Sequence, residues 1–324
     1  MSGLSLSLRD DLGPLAAVEL AGHRVSAVAL QARGGRLVIA SHATEALPEG
    51  MIVPSLTASN IRDRGCVLRA LNRVLAEVGH PRRVGLIVPD PVAKVSLVTF
   101  QQVPSRRQDL DQLIRWQVRK SSPFPIDEAQ VGYAAGASGP EGHEFIVSVA
   151  RRAVVLEYEA LCSDAGAHAG IVDLSTFNVV NAVLAGARAE DAASDWLLVN
   201  VAPDWASLVI LRGGHVIFVR SRGAEGEGTL ADLVHQTAMY YEDRLSGTGF
   251  GKVLVCGAAS AGAQHAADVE QLRRDVEQRL HSVVVAVDPR TVASLADRFS
   301  ASPALLDALT PLVGLLGRSR EAAA

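Results

Sequence analysis

Residues 196–220 read WLLVNVAPDWASLVILRGGHVIFVR, and this stretch decides the fold. Three apolar runs, Trp196–Val201, Ala206–Leu211 and His215–Arg220, are rich in Val, Ile and Leu. They are parted by turn residues at Ala202-Pro203-Asp204 and Gly213-Gly214. Short runs of this kind between such turns predict a three-strand meander. A helical pattern over Thr229–Arg244 and a further apolar strand at Lys252–Cys256 follow. The same order stands earlier in the chain. Leu15–Leu20, Val25–Gln31 and Arg36–Ala40 are separated by turns at Gly22-His23 and Gly34-Gly35. A helix over Val67–Val78 then places Leu68, Leu71, Val74, Leu75 and Val78 at three- and four-residue spacing, ahead of the strand Val84–Val88. Two βββαβα units in one chain predict two lobes, with a cleft where their first turns face each other.

Between the halves lies a segment of different character. A strand at Val95–Phe100 precedes a helix with Leu110, Leu113, Ile114 and Val118 on one face. Pro123 and Pro125 end that helix, because proline lacks the amide and clashes with the preceding turn. Strands at Gln130–Ala134 and Glu144–Ala150, a helix over Ala153–Ala165, a strand at Gly170–Asp173 and a helix over Thr176–Ala185 follow. The expected division is therefore a first lobe at 14–92, completed by 174–188. An inserted subdomain occupies 93–173, the second lobe 195–317, and tails 1–13 and 318–324.

Composition narrows the class. Of 324 residues, 48% are hydrophobic and 20% charged, a balance that permits a buried core and argues against disorder. A net charge of −4, with no basic stripe interleaved with aromatics, excludes nucleic acid as the expected partner. Cys66, Cys162 and Cys256 have neither disulfide-framework nor zinc-site spacing and read as reduced thiols. No apolar run is long enough to insert directly into a bilayer, so a cytoplasmic protein is expected. The clusters Arg106-Arg107, Arg119-Lys120 and Arg151-Arg152 read as solvated surface, or as contacts for acidic headgroups or an acidic segment.

Residues 113–128, LIRWQVRKSSPFPIDE, closely resemble the helix and Pro-Phe-Pro turn of the PilM family of type IV pilus assembly proteins. Residues 170–178 resemble that family's strand-to-helix junction, and 311–316 its closing segment. The resemblance implies an α/β, actin-like (ribonuclease H-like) two-lobed fold related to FtsA. It also implies ATP and magnesium in the cleft, and a place at the inner face of the inner membrane held through protein partners. The implied partner is the N-terminal cytoplasmic tail of a bitopic, PilN-like protein, with homo-oligomerisation left open. Arg115, Trp116 and Phe124 are the candidate contacts; Phe124 alternatively plugs the core of the inserted subdomain.

Phosphate binding in this architecture needs glycine turns for close backbone approach and a carboxylate for magnesium or its water. The resemblance aligns the first such turn with Glu19-Leu20-Ala21 and Gly22, where Ala21 adds a side chain. It aligns the second with Asn200-Val201-Ala202, where the charge is gone and Pro203 removes an amide. Gly257 and Ala258 stand at the adenosine side. The expectation is an adaptor with a degenerate nucleotide cleft; the alternative is an active actin-like ATPase or small-molecule kinase.

Overall fold

The computed structural model describes residues 15–33, 36–187, 194–223, 226, 228–260, 270, 271, 273, 274, 277, 278, 282–297 and 299–321. The expected tail 1–13, the Gly34-Gly35 turn and the middle of the interlobe linker, 188–193, lie outside them. In the first lobe β1 (Ala16–Ala21), β2 (Arg24–Arg33) and β3 (Arg36–Ala46) form an antiparallel meander. Helix α1 (Arg64–Glu77) crosses over to β4 (Arg83–Val88), which lies parallel to β1. The sheet continues through a parallel strand, β8 (His168–Leu174).

The second lobe repeats this plan. Strands β9 (Asp195–Val201), β10 (Trp205–Arg212) and β11 (His215–Gly223) form the meander. Helix α5 (Leu230–Leu245) leads to β12 (Phe250–Cys256), parallel to β9, and β13 (Val284–Ala286) adds a fifth, parallel strand. Thr229 opens α5 through a reciprocal capping box with Asp232, satisfying amides that the helix itself cannot.

The insertion is a three-stranded antiparallel sheet of β5 (Ala93–Phe100), β6 (Ala129–Gly139) and β7 (Gly142–Arg151), with β7 central. Strand alternation divides β7. Phe145, Val147 and Val149 face the helix α2 (Arg107–Val118), while Ile146 and Ala150 join the main core. Helix α3 (Arg152–Asp164) returns the chain to β8 and packs with α1 on one face of the first sheet.

Hydrogen bonding redraws three expected boundaries. β8, assigned to the insertion, is the sixth strand of the first sheet, in register from Arg83↔His168 to Val88↔Leu174. It is buried on both faces, and only a sheet with helices on both sides offers that environment. β14 (Ser294–Leu295) leaves the second lobe to pair with β3. The last helix, α6 (Pro303–Glu321), lays Leu309, Leu312, Val313, Leu315 and Leu316 across the inner face of the first sheet. Burial of such side chains is worth about 1.5–3 kcal/mol each. Residues 318–321 of the expected tail 318–324 are therefore part of this helix, 322–324 lie outside the described residues, and Arg318 is buried in an ion pair with Asp173 at 2.6 Å.

Helix α4 (Ser175–Ala185) is buried on every side from Ser175 to Ala182, its polar side chains Ser175, Thr176, Asn178 and Asn181 included. It crosses α6 so closely that a Cβ on Gly314 would overlap the Asn178 carbonyl oxygen. Gly314→Ala therefore has to move one helix off the other. Overpacking of this kind costs roughly 1–3 kcal/mol or more, and urea denaturation of the variant is expected to show at least that loss.

Candidate functional site

Alternation along the first strand of each lobe sets the cleft. On β1, Ala16, Val18 and Leu20 face the core under α1, which turns Glu19 and Ala21 toward the opposite, interlobe side. On β9, Leu197, Val199 and Val201 face α5, which turns Asn200 inward in the same way. The two first turns meet: a Cβ on Gly22 would stand 2.7 Å from Asp204 Oδ2. Glu19, Ala21, Asn200, Ala202 and Gly257 line one small cavity, joined by Arg24, Ser175, Trp205, Cys256 and Asp307. Of the remaining expected cleft residues, Gly22 lies beside it and Ala258 packs against the second-lobe core.

Most polar groups of this cavity are engaged from within the chain, while Arg24 Nε is buried without a hydrogen-bond partner. Arg24 donates to Glu19 Oε2 at 2.8 Å and to Ser260 Oγ at 2.9 Å, while Ser175 Oγ donates to Glu19 Oε1 at 3.1 Å. Both oxygens of the carboxylate that would face a metal are thus engaged from within the chain. The Asn200 amide donates to Thr176 Oγ1 at 2.9 Å, and the Ala202 N–H to the Trp205 carbonyl at 2.8 Å. Asp307, from the first turns of α6, accepts the Ala259 N–H at 2.7 Å; burial pushes its carboxyl above the usual range, and the amides of the 257–260 turn oppose that shift. Gly257 holds φ +87°, and a Cβ there would overlap the Val201 carbonyl, so this turn keeps its backbone close to β9. Burial also raises the Cys256 thiol well above its ordinary value, so no thiolate is available at neutral pH.

The remaining space takes the centre of a water-sized sphere over only ≈ 20 Å³, room for about one water. Among the described residues no group of three His, Cys, Asp or Glu side chains is placed to hold a metal. Magnesium-ATP does not fit this arrangement: Arg24 stands against the carboxylate, and an internal carboxylate caps the amides of the Gly257 turn.

Around the N-terminus of α4 a second polar set closes the lobes together. Asp90, just after β4, accepts the Thr176 N–H at 3.0 Å and the hydroxyl of Ser207 from β10. Asp173 accepts the Leu174 N–H at 2.8 Å. Leu174, at the cap position, supplies no side-chain bond of its own, so these carboxylates serve the orphan amides of the helix start.

On the insertion, Trp116 projects from α2 with 69% of its surface exposed, beside half-buried Arg115. Phe124 is half-buried and packs on the cluster around Ile114, Val118 and Phe145, the position of a core plug. The expected contacts therefore divide into two that reach solvent and one that turns inward. Of the glycine-rich turn at 223–228, residues 224, 225 and 227 lie outside the described residues.

Sequence reasoning passed over Arg24, Asp307 and Ser260 as a set, and Asp90. One signal was present: Arg24 shares strand parity with Ser26 and Val28 on the inward face of β2, where a cation requires a partner.

Two βββαβα lobes joined at a cleft define a protein of the actin-like ATPase fold. The sequence profile of the family described as type IV pilus assembly protein PilM matches residues 17–245. This chain belongs to that family. A solved PilM-PilN type IV pilus biogenesis complex matches with a TM-score of 0.77 at 16% identity, covering 97% of this chain and 100% of that chain. A Bacteroides thetaiotaomicron protein with an actin-like ATPase fold and unknown function matches with a TM-score of 0.48 at 10% identity, over 86% of this chain and 91% of that one. The cytoplasmic domain of EpsL, an inner membrane component of the type II secretion system of Vibrio cholerae, gives 0.47 at 11% identity, over 95% and 94%.

Asp90→Ala strips the Thr176 N–H and the Ser207 hydroxyl of their acceptor, with an expected loss of about 1–3 kcal/mol. Asp90→Asn retains an acceptor and tests the charge. Burial raises the Asp90 carboxyl above its ordinary value, so the protonated form favours the fold. The stability this contributes is full below the unfolded carboxyl pKa of about 4 and is lost as pH rises through the raised value. Wild type is therefore expected to lose ground against Asp90→Asn as pH rises from about 4 to about 8; a flat difference in unfolding free energy contradicts this.

Proposed function

We propose that this chain is an assembly adaptor of the type IV pilus platform at the inner face of the inner membrane, where it binds the N-terminal cytoplasmic tail of a single-span, PilN-like protein. Membership of the PilM family over residues 17–245 supports the pilus role. Likeness across 97% of the chain to a protein solved as a PilM-PilN complex supports the kind of partner. Among the described residues no helix is long and apolar enough to cross a membrane; in this reading the partner provides the attachment.

The observation that carries adaptor over turnover enzyme is the state of Glu19. Arg24 and Ser175 hold both of its oxygens, and its counterpart in the other lobe is the uncharged Asn200. Among the described residues lining the cleft the two carboxylates, Glu19 and Asp307, are both engaged from within the chain, which disfavours positioning of magnesium or of a phosphoryl transfer.

Affinity capture of the tagged native protein from solubilised membranes is expected to recover a single-span protein with a short cytoplasmic N-terminal tail, together with platform components. Magnesium-dependent phosphate release above a Glu19→Ala control would establish the ATPase alternative instead. The exposed Trp116 and adjacent Arg115 are assigned to partner capture. Replacing both with alanine is expected to weaken binding of a synthetic tail peptide by about tenfold or more in a calorimetric titration. Unchanged affinity moves the binding surface off α2.

A further inference from the structure

Beyond the adaptor reading, and independent of any partner, we propose that Arg24 is a built-in counter-ion that stands in the cleft in place of a metal-nucleotide and latches the two lobes together. The guanidinium is 8% exposed and touches groups from both lobes. On its own side it bonds Glu19 Oε2 at 2.8 Å and the neighbouring His23 ring nitrogen. Across the cleft it bonds Ser260 Oγ at 2.9 Å, in the turn that follows β12.

Ser260 is fixed for this role. Its hydroxyl donates to the Gly257 carbonyl at 2.9 Å, leaving its lone pairs toward Arg24. The same turn is clasped from the other side by Asp307 through the Ala259 N–H. One guanidinium and two carboxylates, Glu19 and Asp307, thus occupy the ground between the first-lobe turn and the Gly257 turn. Here the chain supplies charge of both signs itself.

Magnesium-ATP entering the cleft would have to break the buried Arg24–Glu19 pair and open a space that now holds about one water. The closed arrangement is then a fixed property of the chain, and opening has to be driven by something other than nucleotide.

The full chain tests this by hydrogen exchange and thermal unfolding, with and without millimolar magnesium-ATP. Wild type is expected to keep its unfolding midpoint and its exchange pattern when the nucleotide is added. Ser260→Ala cuts the bond across the cleft together with the hydroxyl's bond to the Gly257 carbonyl; the amides of 257–260 are expected to exchange roughly tenfold faster while those of β1 and β2 are unaltered, and Arg24→Met, which leaves the Ser260–Gly257 bond in place, separates the two contributions. Arg24→Met keeps the aliphatic stem and removes the charge; it is expected to accelerate exchange on both sides of the cleft and lower the midpoint by on the order of 5 °C. Because Glu19 is then left unpaired, Glu19→Gln with Arg24→Met is the companion variant. It is expected to recover part of the midpoint but not the protection at 257–260.

Three results overturn the proposal. Unaltered protection in Ser260→Ala removes the link between lobes. Unaltered protection at 257–260 in the double variant removes Arg24 as the latch. A midpoint that magnesium-ATP raises in wild type but not in Arg24→Met makes Arg24 a phosphate ligand.

Discussion

The crossing of α4 and α6 is the constraint on which both lobes rest. α4 follows β8, the edge strand beside β4 in the first sheet, and is enclosed along two of its three turns. α6 comes from the far end of the chain, after the second lobe, and returns to the first. Backbone meets backbone at Gly314 and Asn178, the separation that lets Leu312, Val313, Leu315 and Leu316 reach the sheet beneath. A larger residue would lift α6, and with it Asp307 and Arg318, from the groups they contact.

Those contacts share a chemistry. Carboxylates are buried where helix starts and tight turns present amides: Asp90 and Asp173 at α4, Asp307 at the turn after β12. Each brings a desolvation cost, offset by hydrogen bonds to the ionised or neutral group and, at Asp173, by the Arg318 guanidinium. Arranged around the interlobe surface, they give the crossing a polar register that apolar packing alone would not specify. Hydrophobic surfaces tolerate sliding far better than a set of directional bonds does.

The same logic describes the cleft. In an actin-like architecture the two first turns and the adenosine-side turn converge because strand order and crossover hand bring them together. Convergence of three turns concentrates backbone dipoles and side-chain charge in a small volume, and that charge has to be balanced. Here Arg24, Glu19, Ser175, Ser260 and Asp307 balance it internally. The architecture of the fold does not itself dictate what its cleft holds.

What the sequence determined by itself was the repeated order of strands and helices, because hydrophobic period and turn residues are local signals. The meander at 196–220, the helices and the Pro-Phe-Pro break all fall within a few residues of their expected places. It also singled out Ala21, Asn200 and Ala202, which the structure places along the cleft, since residue type is visible without geometry. Tertiary structure alone decided three things: that β8, β14 and α6 belong to the first lobe, that Phe124 turns inward while Trp116 does not, and that Arg24 reaches Glu19 and Ser260. Each depends on groups far apart in the chain, Arg24 and Ser260 by 236 residues. Local periodicity carries no information about which distant surface an element will meet; only the closing of sheets and the crossing of helices settles that.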